Sequence, residues 1–385
     1  MMKNFNYHFY LLFLFVLFIS LNAGLFSIFP ISGLGFVSYM SLFIMIYYVT
    51  IENKFMLKKF SLPYIITFLW LLFLVIVKPQ GTFNGLYTWF LGGLIFFSFF
   101  YIEENENFHF YFIFASFLLA FFFSLFEIFS GIHFPLSRFV KNNFSSVTHL
   151  GLHIPTYYFT NENDFCAFFT LLFCLLRTVR YSKRIFFDIL FLPYIIFCLI
   201  ISDAKICLIA LFMYYTYIIL MKINKKIRFF IYVVIFILFI FVFVNFIIPF
   251  IINLINLNST KSIIIRINLV LLALDNIFNK NNFLGLGPGS FPSIVNNSNF
   301  NTGTIVDPHN WFIELGVEAG LIFLIFYIVF ILKYFIIENN KCYRAFFVVF
   351  LICNFCSSRF TGILWNWFFL ALFFKRLFYI KGIKK

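Results

Sequence analysis

Long apolar runs, separated by short polar or basic segments, follow one another along almost the whole chain. A helix needs about 20 apolar residues to cross the bilayer core, and on that rule the pattern predicts about twelve spans. The sequence therefore predicts an all-α polytopic integral membrane protein, with residues 1–385 forming a single membrane domain. The first apolar run is taken as a span and not as a cleaved signal peptide. The predicted spans lie near residues 8–29, 33–50, 61–77, 86–102, 109–130, 164–179, 185–201, 206–221, 229–253, 310–335, 345–356 and 361–378.

Two longer polar segments interrupt this pattern, at residues 131–163 and at residues 254–309. Long ordered loops in compact proteins are commonly functional. The second loop, between predicted spans 9 and 10, is expected to contain a helix from Ser262 to Phe278 that could lie against the membrane surface. Both loops are therefore the first places to look for a site.

The composition agrees with a membrane protein, since 63% of the residues are hydrophobic and only 11% are charged. A soluble domain usually has about 25% charged residues. If both termini are cytoplasmic, most of the 28 Lys and Arg residues fall on the inner side, as the positive-inside rule requires. The net charge of +14 is then a topology signal and does not indicate nucleic-acid binding. The same topology places both long loops on the outer face.

The cysteines give little sign of chemistry. Cys353-x-x-Cys356 resembles a redox or zinc pair, but a structural zinc site needs four ligands and no second pair follows. The cysteines are therefore interpreted as small buried apolar residues, and no metal site is predicted.

The glycine cluster Gly285-x-Gly287-x-Gly289 is not the dinucleotide fingerprint, because Ser290 stands where the third glycine belongs. The chain also has no P-loop and no Asp-x-Asp. No cofactor is predicted, and an active site is expected to face outward.

Three ionisable residues stand out on the outer side: Lys205, Arg266 and His309. Each has an ordinary alternative. Lys205 could snorkel at the membrane boundary, Arg266 could be an interfacial anchor, and His309 could be structural.

The residues after His309 support a functional role for this histidine. Asn310, Glu314 and Glu318 follow at spacings of four, so they should share one helix face. Carboxylates inside a membrane helix are costly unless they are paired, although a helix N-terminus favours them. The alternative for Glu318 is a structural network with Lys or Arg. On a neighbouring face, Gly316-x-x-x-Gly320 predicts the close approach of another helix.

Four stretches, taken in order, resemble the O-antigen ligase and polysaccharide polymerase superfamily, and a C-terminal stretch resembles its closing span. The family usually has an arginine at the position of Lys205; both residue types bind phosphate, arginine through a planar fork and lysine as a point charge. The four stretches are "YFTNENDFCAFFTLL", "ISDAKICLIAL", "IIIRINLVLLALDNIFNKNNFLGLGPGSF" and "DPHNWFIELGVEAGLIFLIFY", and the closing one is "SSRFTGILWNWFFLALFF".

This resemblance implies a GT-C-like helical fold and a metal-independent, inverting glycosyltransferase that uses a polyprenyl-diphosphate-linked donor. It implies His309 as the catalytic base and Arg266 and Lys205 as ligands of the diphosphate. The residues that it implies for orienting the histidine or binding substrate are Asn310, Glu314 and Asn163.

The resemblance also implies a function and a location. The preferred function is polymerisation of undecaprenyl-diphosphate-linked repeat units into O-antigen or capsule, at the outer face of the bacterial cytoplasmic membrane. The close alternative is an O-antigen ligase that transfers finished glycan to lipid A-core or another acceptor. A lipid-linked oligosaccharide flippase is disfavoured, because the charges crowd the outer boundary and do not line a central cavity. The expected partners are the lipid-linked donor, a glycan acceptor, the bilayer and a chain-length regulator, with no nucleic acid.

Overall fold

The part of the chain that the structure describes is helical throughout. The computed structural model describes residues 61–100, 106–135, 137–141, 145–148, 151–179, 184–224, 227, 262–298, 310–355 and 364–383. Within these ranges every regular element is a helix, beside one isolated bridge between Val147 and His153. The predicted spans near 8–29, 33–50 and 229–253 lie outside the described residues, and so does His309.

Thirteen α-helices are described, and the eighth continues as a π-helical turn at Asp275–Asn279. They are α1 (Ser61–Val77), α2 (Phe83–Phe100), α3 (Glu106–Ser130), α4 (Arg138–Lys141), α5 (Glu162–Val179), α6 (Arg184–Ile201), α7 (Lys205–Leu220), α8 (Ser262–Leu274), α9 (Phe291–Asn296), α10 (Trp311–Glu318), α11 (Leu321–Ile337), α12 (Lys341–Cys353) and α13 (Leu364–Ile383).

The helices match the apolar runs closely. The six spans predicted between residues 61 and 221 correspond to α1, α2, α3, α5, α6 and α7, and the predicted loop helix corresponds to α8 with its π turn. Among the described residues, Phe110–Ser130 in α3 and the whole of α6 are long and apolar enough to cross a membrane. Shorter apolar helices cover Ile66–Val77, Lys205–Leu220 and Leu321–Ile337. These findings agree with a helical membrane protein, while the total of twelve spans stays a prediction.

Helix α5 forms the centre of the core. From Phe165 to Leu176 its side chains are fully buried, and it packs against α3, α6, α7 and α12. Phe169 of α5 stacks on Phe117 of α3 with ring centroids 5.0 Å apart. By contrast, α6 and α11 carry exposed aliphatic side chains such as Ile189 and Ile336. Exposed apolar surface on this scale is typical of contact with lipid.

Basic residues that the charge count assigns to the inner side meet at one end of the bundle. Arg177 of α5 is paired with Asp188 of α6 (Nε to Oδ1, 2.7 Å), and Lys341 of α12 donates to the carbonyl oxygen of Met221 beyond α7 (2.9 Å). At the junction of α11 and α12, the buried Glu338 binds Arg376 of α13 (Oε2 to Nε, 2.8 Å). The side of the membrane on which this end lies stays a prediction.

Six cysteines are buried with free thiols, at positions 166, 174, 198, 207, 342 and 353. Their burial agrees with the interpretation as small apolar residues. Cys356 lies outside the described residues.

Candidate functional site

Asn310 begins the helix that follows the predicted base. Its backbone is extended (φ −162°), and its side-chain Oδ1 accepts hydrogen bonds from the backbone N–H groups of Phe312 (2.9 Å) and Ile313 (3.3 Å). Asparagine is among the residues preferred at this N-cap position. The cap engages the amide oxygen, and the side-chain NH₂ takes no part in it.

The two carboxylates predicted on one face of this helix do lie on α10, and both are fully buried. The first turn closes through the backbone bond from Glu314 N–H to the carbonyl of Asn310 (3.1 Å). Glu318 accepts a hydrogen bond from the indole N–H of Trp89 on α2 (3.3 Å). The prediction that Glu314 and Glu318 lie four residues apart on one helix is therefore confirmed. The spacing could not show that the indole of Trp89 on α2 would donate to Glu318.

Trp89 belongs to a cluster of three tryptophans beneath the start of α10. Its ring lies 5.9 Å from that of Trp311 and 5.5 Å from that of Trp367 on α13, measured between centroids. A side chain on Gly92 would collide with the Trp367 ring, because the added Cβ would lie 2.1 Å from it. Aromatic pairs at such distances contribute more than their buried area alone, so the cluster fixes the position of α10 against α2 and α13.

The predicted span near 310–335 is not one continuous helix in the structure. The helix stops after Glu318, and α11 begins at Leu321 after Gly320, whose backbone is at φ +101° and ψ 168°. That conformation is essentially restricted to glycine. Gly320 therefore lies outside the helical face on which it was predicted with Gly316, and its close neighbour is the carbonyl of Leu284 in the preceding loop, not a second helix.

The loop of residues 283–289 causes this break by replacing helical hydrogen bonds. In a continuous helix Leu321 N–H would bond to the carbonyl of Val317. Here Leu321 donates to the carbonyl of Phe283 (2.9 Å), and Val317 accepts from Leu286 (2.8 Å). The carbonyl of Glu318 accepts from Gly287 (3.0 Å). The loop thus supplies hydrogen-bond partners for the backbone carbonyl and N–H groups that the interruption of the helix leaves unpaired.

The other side of this loop rests on the start of α2. Thr82 N–H donates to the carbonyl of Pro288 (2.9 Å), and a Cβ on Gly85 would lie 2.4 Å from the Pro288 backbone. Gly285, Gly287 and Gly289 all have positive φ. The glycine cluster therefore lets backbone pack directly on backbone on both sides, which is a structural role.

Arg266 lies on α8, which packs against α10. The residue is half-buried, on a helix with the apolar residues Leu269 and Leu272 in a small core of its own. Among the described residues Arg266 makes no ion pair and no hydrogen bond. An arginine in an apolar setting calls for a partner or an anionic ligand.

Lys205 lies at the first residue of α7, a helix that packs on α5, α6 and α12. Its side chain is 76% exposed, and its Nζ is 3.0 Å from Oδ2 of the neighbouring Asp203. Among the described residues, no hydrogen bond or ion pair connects Lys205 with Arg266, Asn310 or Glu314. Among the predicted site residues, Arg266 lies on a helix that packs against α10, which begins after Asn310 and carries Glu314, whereas Lys205 lies on a separate element.

Asn163 lies in the first turn of α5 and is half-buried. The turn is well anchored around it: Asn161 Oδ1 accepts from the backbone N–H of Asp164 (2.9 Å), and Glu162 binds Arg138 Nη2 (2.7 Å). Asn163 therefore lies in a helix turn whose neighbouring residues are held by hydrogen bonds on both sides.

A polar cluster at the end of α3 was missed by the sequence analysis. The buried carboxylate of Glu127 receives hydrogen bonds from the loop of residues 131–163 and from His133. The available signal was an acidic residue inside an apolar span, followed six residues later by a histidine. Spacing alone could not show that the loop folds back onto that acid.

Comparison with known proteins bears on the elements from α6 to α11. Residues 189–328 match a family model described as O-antigen ligase. This segment is similar to the O-antigen ligase family. The predicted resemblance is therefore confirmed over these residues, and it supports an enzyme of polysaccharide biosynthesis. The matching segment contains Lys205, Arg266, His309, Asn310 and Glu314, whereas Asn163 precedes it. No curated protein matches the chain.

Proposed function

We propose that the protein polymerises undecaprenyl-diphosphate-linked oligosaccharide repeat units by inverting glycosyl transfer at the outer face of the bacterial cytoplasmic membrane. The observation that carries this proposal is the position of Arg266. It is a half-buried cation without a carboxylate partner among the described residues, on a helix packed against the one that begins at Asn310. A diphosphate held at the membrane boundary is the kind of anion that such a cation would bind.

In the proposed reaction, a hydroxyl oxygen of the acceptor sugar attacks the anomeric carbon of the donor. The bond from that carbon to the phosphate oxygen breaks, and the diphosphate leaves with the bonding electrons. His309 takes the proton of the hydroxyl, a role for which neutral imidazole is suited near pH 7. Arg266 and Lys205 stabilise the charge that develops on the leaving diphosphate. Asn310 and Glu314 orient the histidine, and Asn163 binds substrate.

The proposal is tested with purified protein and lipid-linked repeat units in the presence of a metal chelator. Products longer than one repeat are expected from the wild type, and no product from His309→Ala or Arg266→Ala. Lys280→Ala is the matched control, because it removes a cation of the same loop that is already paired with Asp275 (3.3 Å). A strict need for a divalent metal, or full activity of Arg266→Ala, would contradict the proposed mechanism.

The second candidate is a ligase, and the description of the matching family favours it. Glycan analysis of a strain that lacks the protein separates the two functions. Acceptor carrying single repeats indicates a lost polymerase, whereas full-length glycan that stays on the lipid carrier indicates a lost ligase.

A further inference from the structure

Basic residues from four separate segments meet around the first turn of α12. Lys341 begins that helix, and its Nζ donates to the carbonyl oxygen of the residue before Lys222 (2.9 Å). The next residue, Cys342, is buried ahead of the predicted membrane span. Burial raises the pKa of its thiol, and the positive charges of Arg177, Arg184 and Lys222 oppose that rise. The group is called the α12 basic cluster and consists of Arg177, Arg184, Lys222 and Lys341.

The α12 basic cluster carries more positive charge than its carboxylate neutralises. Nε and Nη2 of Arg177 donate to the carboxylate oxygens of Asp188 (2.7 and 2.9 Å), and its guanidinium stacks on the ring of Tyr215 (4.4 Å to the centroid). That pair fixes Arg177 in place and balances its charge. Lys222 and Lys341 are exposed, and neither forms an ion pair within the described residues. Their charges therefore face outward from a rigid base.

Beside these cations, α6 and α7 present apolar surface. Arg184 is the first residue of α6, and Ile185 and Ile189 after it are exposed. On α7 the exposed Ile219 lies three residues before Lys222. A free anion such as phosphate would contact the cations and leave the apolar side chains uncovered. A phospholipid has an anionic headgroup joined to apolar chains, so it suits both surfaces.

The α12 basic cluster lies at the end of the helices opposite the predicted glycan-site residues. Asn163 and Lys205 are in the first turns of α5 and α7, whereas Arg177 is in the last turn of α5 and Lys222 follows the end of α7. An α-helix rises about 1.5 Å per residue, so roughly 20 Å separates the two ends. A diphosphate bound by Lys205 therefore cannot also be the anion at this cluster.

We propose that the α12 basic cluster binds the headgroup of an anionic phospholipid, in the leaflet opposite the proposed glycan site, with the acyl chains against α6 and α7. Basic residues beside membrane helices attract anionic lipids, and basic pockets between helices bind their headgroups. The usual excess of basic residues in inner loops accounts for the number of cations but not for their meeting around one helix start. The inference stands apart from the proposed function.

The test is the binding of phosphatidylglycerol to the purified full-length protein in a neutral detergent, measured by native mass spectrometry. We expect phosphatidylglycerol to bind at least tenfold more tightly than phosphatidylcholine, whose headgroup has no net charge. Lys222→Gln should weaken the phosphatidylglycerol complex about fivefold, the effect of one lost charge near the headgroup. Adding Lys341→Gln should weaken it further, and Lys222→Arg should keep it.

The matched control is Lys333→Gln, which removes one charge from an exposed lysine near the end of α11 that leads into α12. Its affinity for phosphatidylglycerol should equal that of the wild type. An equal loss in Lys333→Gln and Lys222→Gln would overturn the inference in favour of general electrostatic attraction. Wild-type affinity in the combined Lys222→Gln and Lys341→Gln variant would overturn it as well. Displacement of the lipid by an equal concentration of inorganic phosphate would show a phosphate site instead.

Discussion

Replacing Gly320 by alanine should destabilise the protein far more than the same change at Gly316, although the two glycines were predicted to share one helix face. At Gly320 the backbone (φ +101°, ψ 168°) is outside the range of an L-residue, and an added Cβ would lie 2.5 Å from the carbonyl oxygen of Leu284. At Gly316 the added Cβ would meet the end of a flexible side chain, Ile277 Cδ1, at 3.1 Å.

The size of the effect follows from these contacts. Forcing alanine into the glycine-only region costs about 1–3 kcal/mol. Moving the loop to relieve the collision would break one or two of the bonds that join it to the helix ends, at about 1 kcal/mol each. We therefore expect Gly320→Ala to lose about 3 kcal/mol, a large share of the roughly 5–15 kcal/mol that stabilises a typical protein. Gly316→Ala should stay within about 1 kcal/mol of the wild type, because alanine favours the helix.

The assay is reversible unfolding in mixed micelles, followed by the helical circular-dichroism signal. Each variant is compared with the wild type at the same detergent composition. Equal stabilities of Gly320→Ala and Gly316→Ala would refute the reasoning. A larger loss at Gly316 would instead favour the helix-packing motif that the spacing predicted.

Three further outcomes are expected. Asn310→Ala should lower the unfolding free energy by about 1 kcal/mol through loss of the cap, whereas Asn310→Asp should keep it in the same unfolding assay. Glu338→Ala should cost about 3 kcal/mol because it leaves the partly buried Arg376 without its carboxylate partner, and combining Glu338→Met with Arg376→Met should restore much of that loss, again measured by unfolding. Lys205→Arg should keep glycan transfer and Lys205→Ala should lose most of it in the repeat-unit assay; an unaltered rate in Lys205→Ala would mean that Lys205 only snorkels beside Asp203.

The helices could be predicted because their signal is local. The run at residues 61–77 is uniformly apolar and ends at Lys78, and α1 covers the same residues, Ser61–Val77. The stack of Glu314 and Glu318 was predictable for a similar reason, since helical geometry places residues four apart on one face.

The break at Gly320 could not be predicted from hydropathy. Residues 310–335 are apolar enough for one span, and the interruption depends on a loop about thirty residues earlier that takes over the hydrogen bonds of Val317 and Leu321. The contact of Glu127 with His133 was missed for a related reason: it forms only because the loop after α3 folds back. Contacts between segments that are far apart in the sequence depend on the tertiary fold, and residue spacing does not reveal them.

The hydrogen bonds between the loop of residues 283–289 and the helix ends beside Gly320 have a consequence for biosynthesis. Residues 283–287 are joined to the chain before Val317 and Leu321, so the loop cannot make its hydrogen bonds to these two residues until they have been added and have emerged. Residues 310–335 are meanwhile a stretch long enough to enter the bilayer as one helix. We therefore expect the division into α10 and α11 to be completed when the loop docks and its hydrogen bonds replace those of the helix.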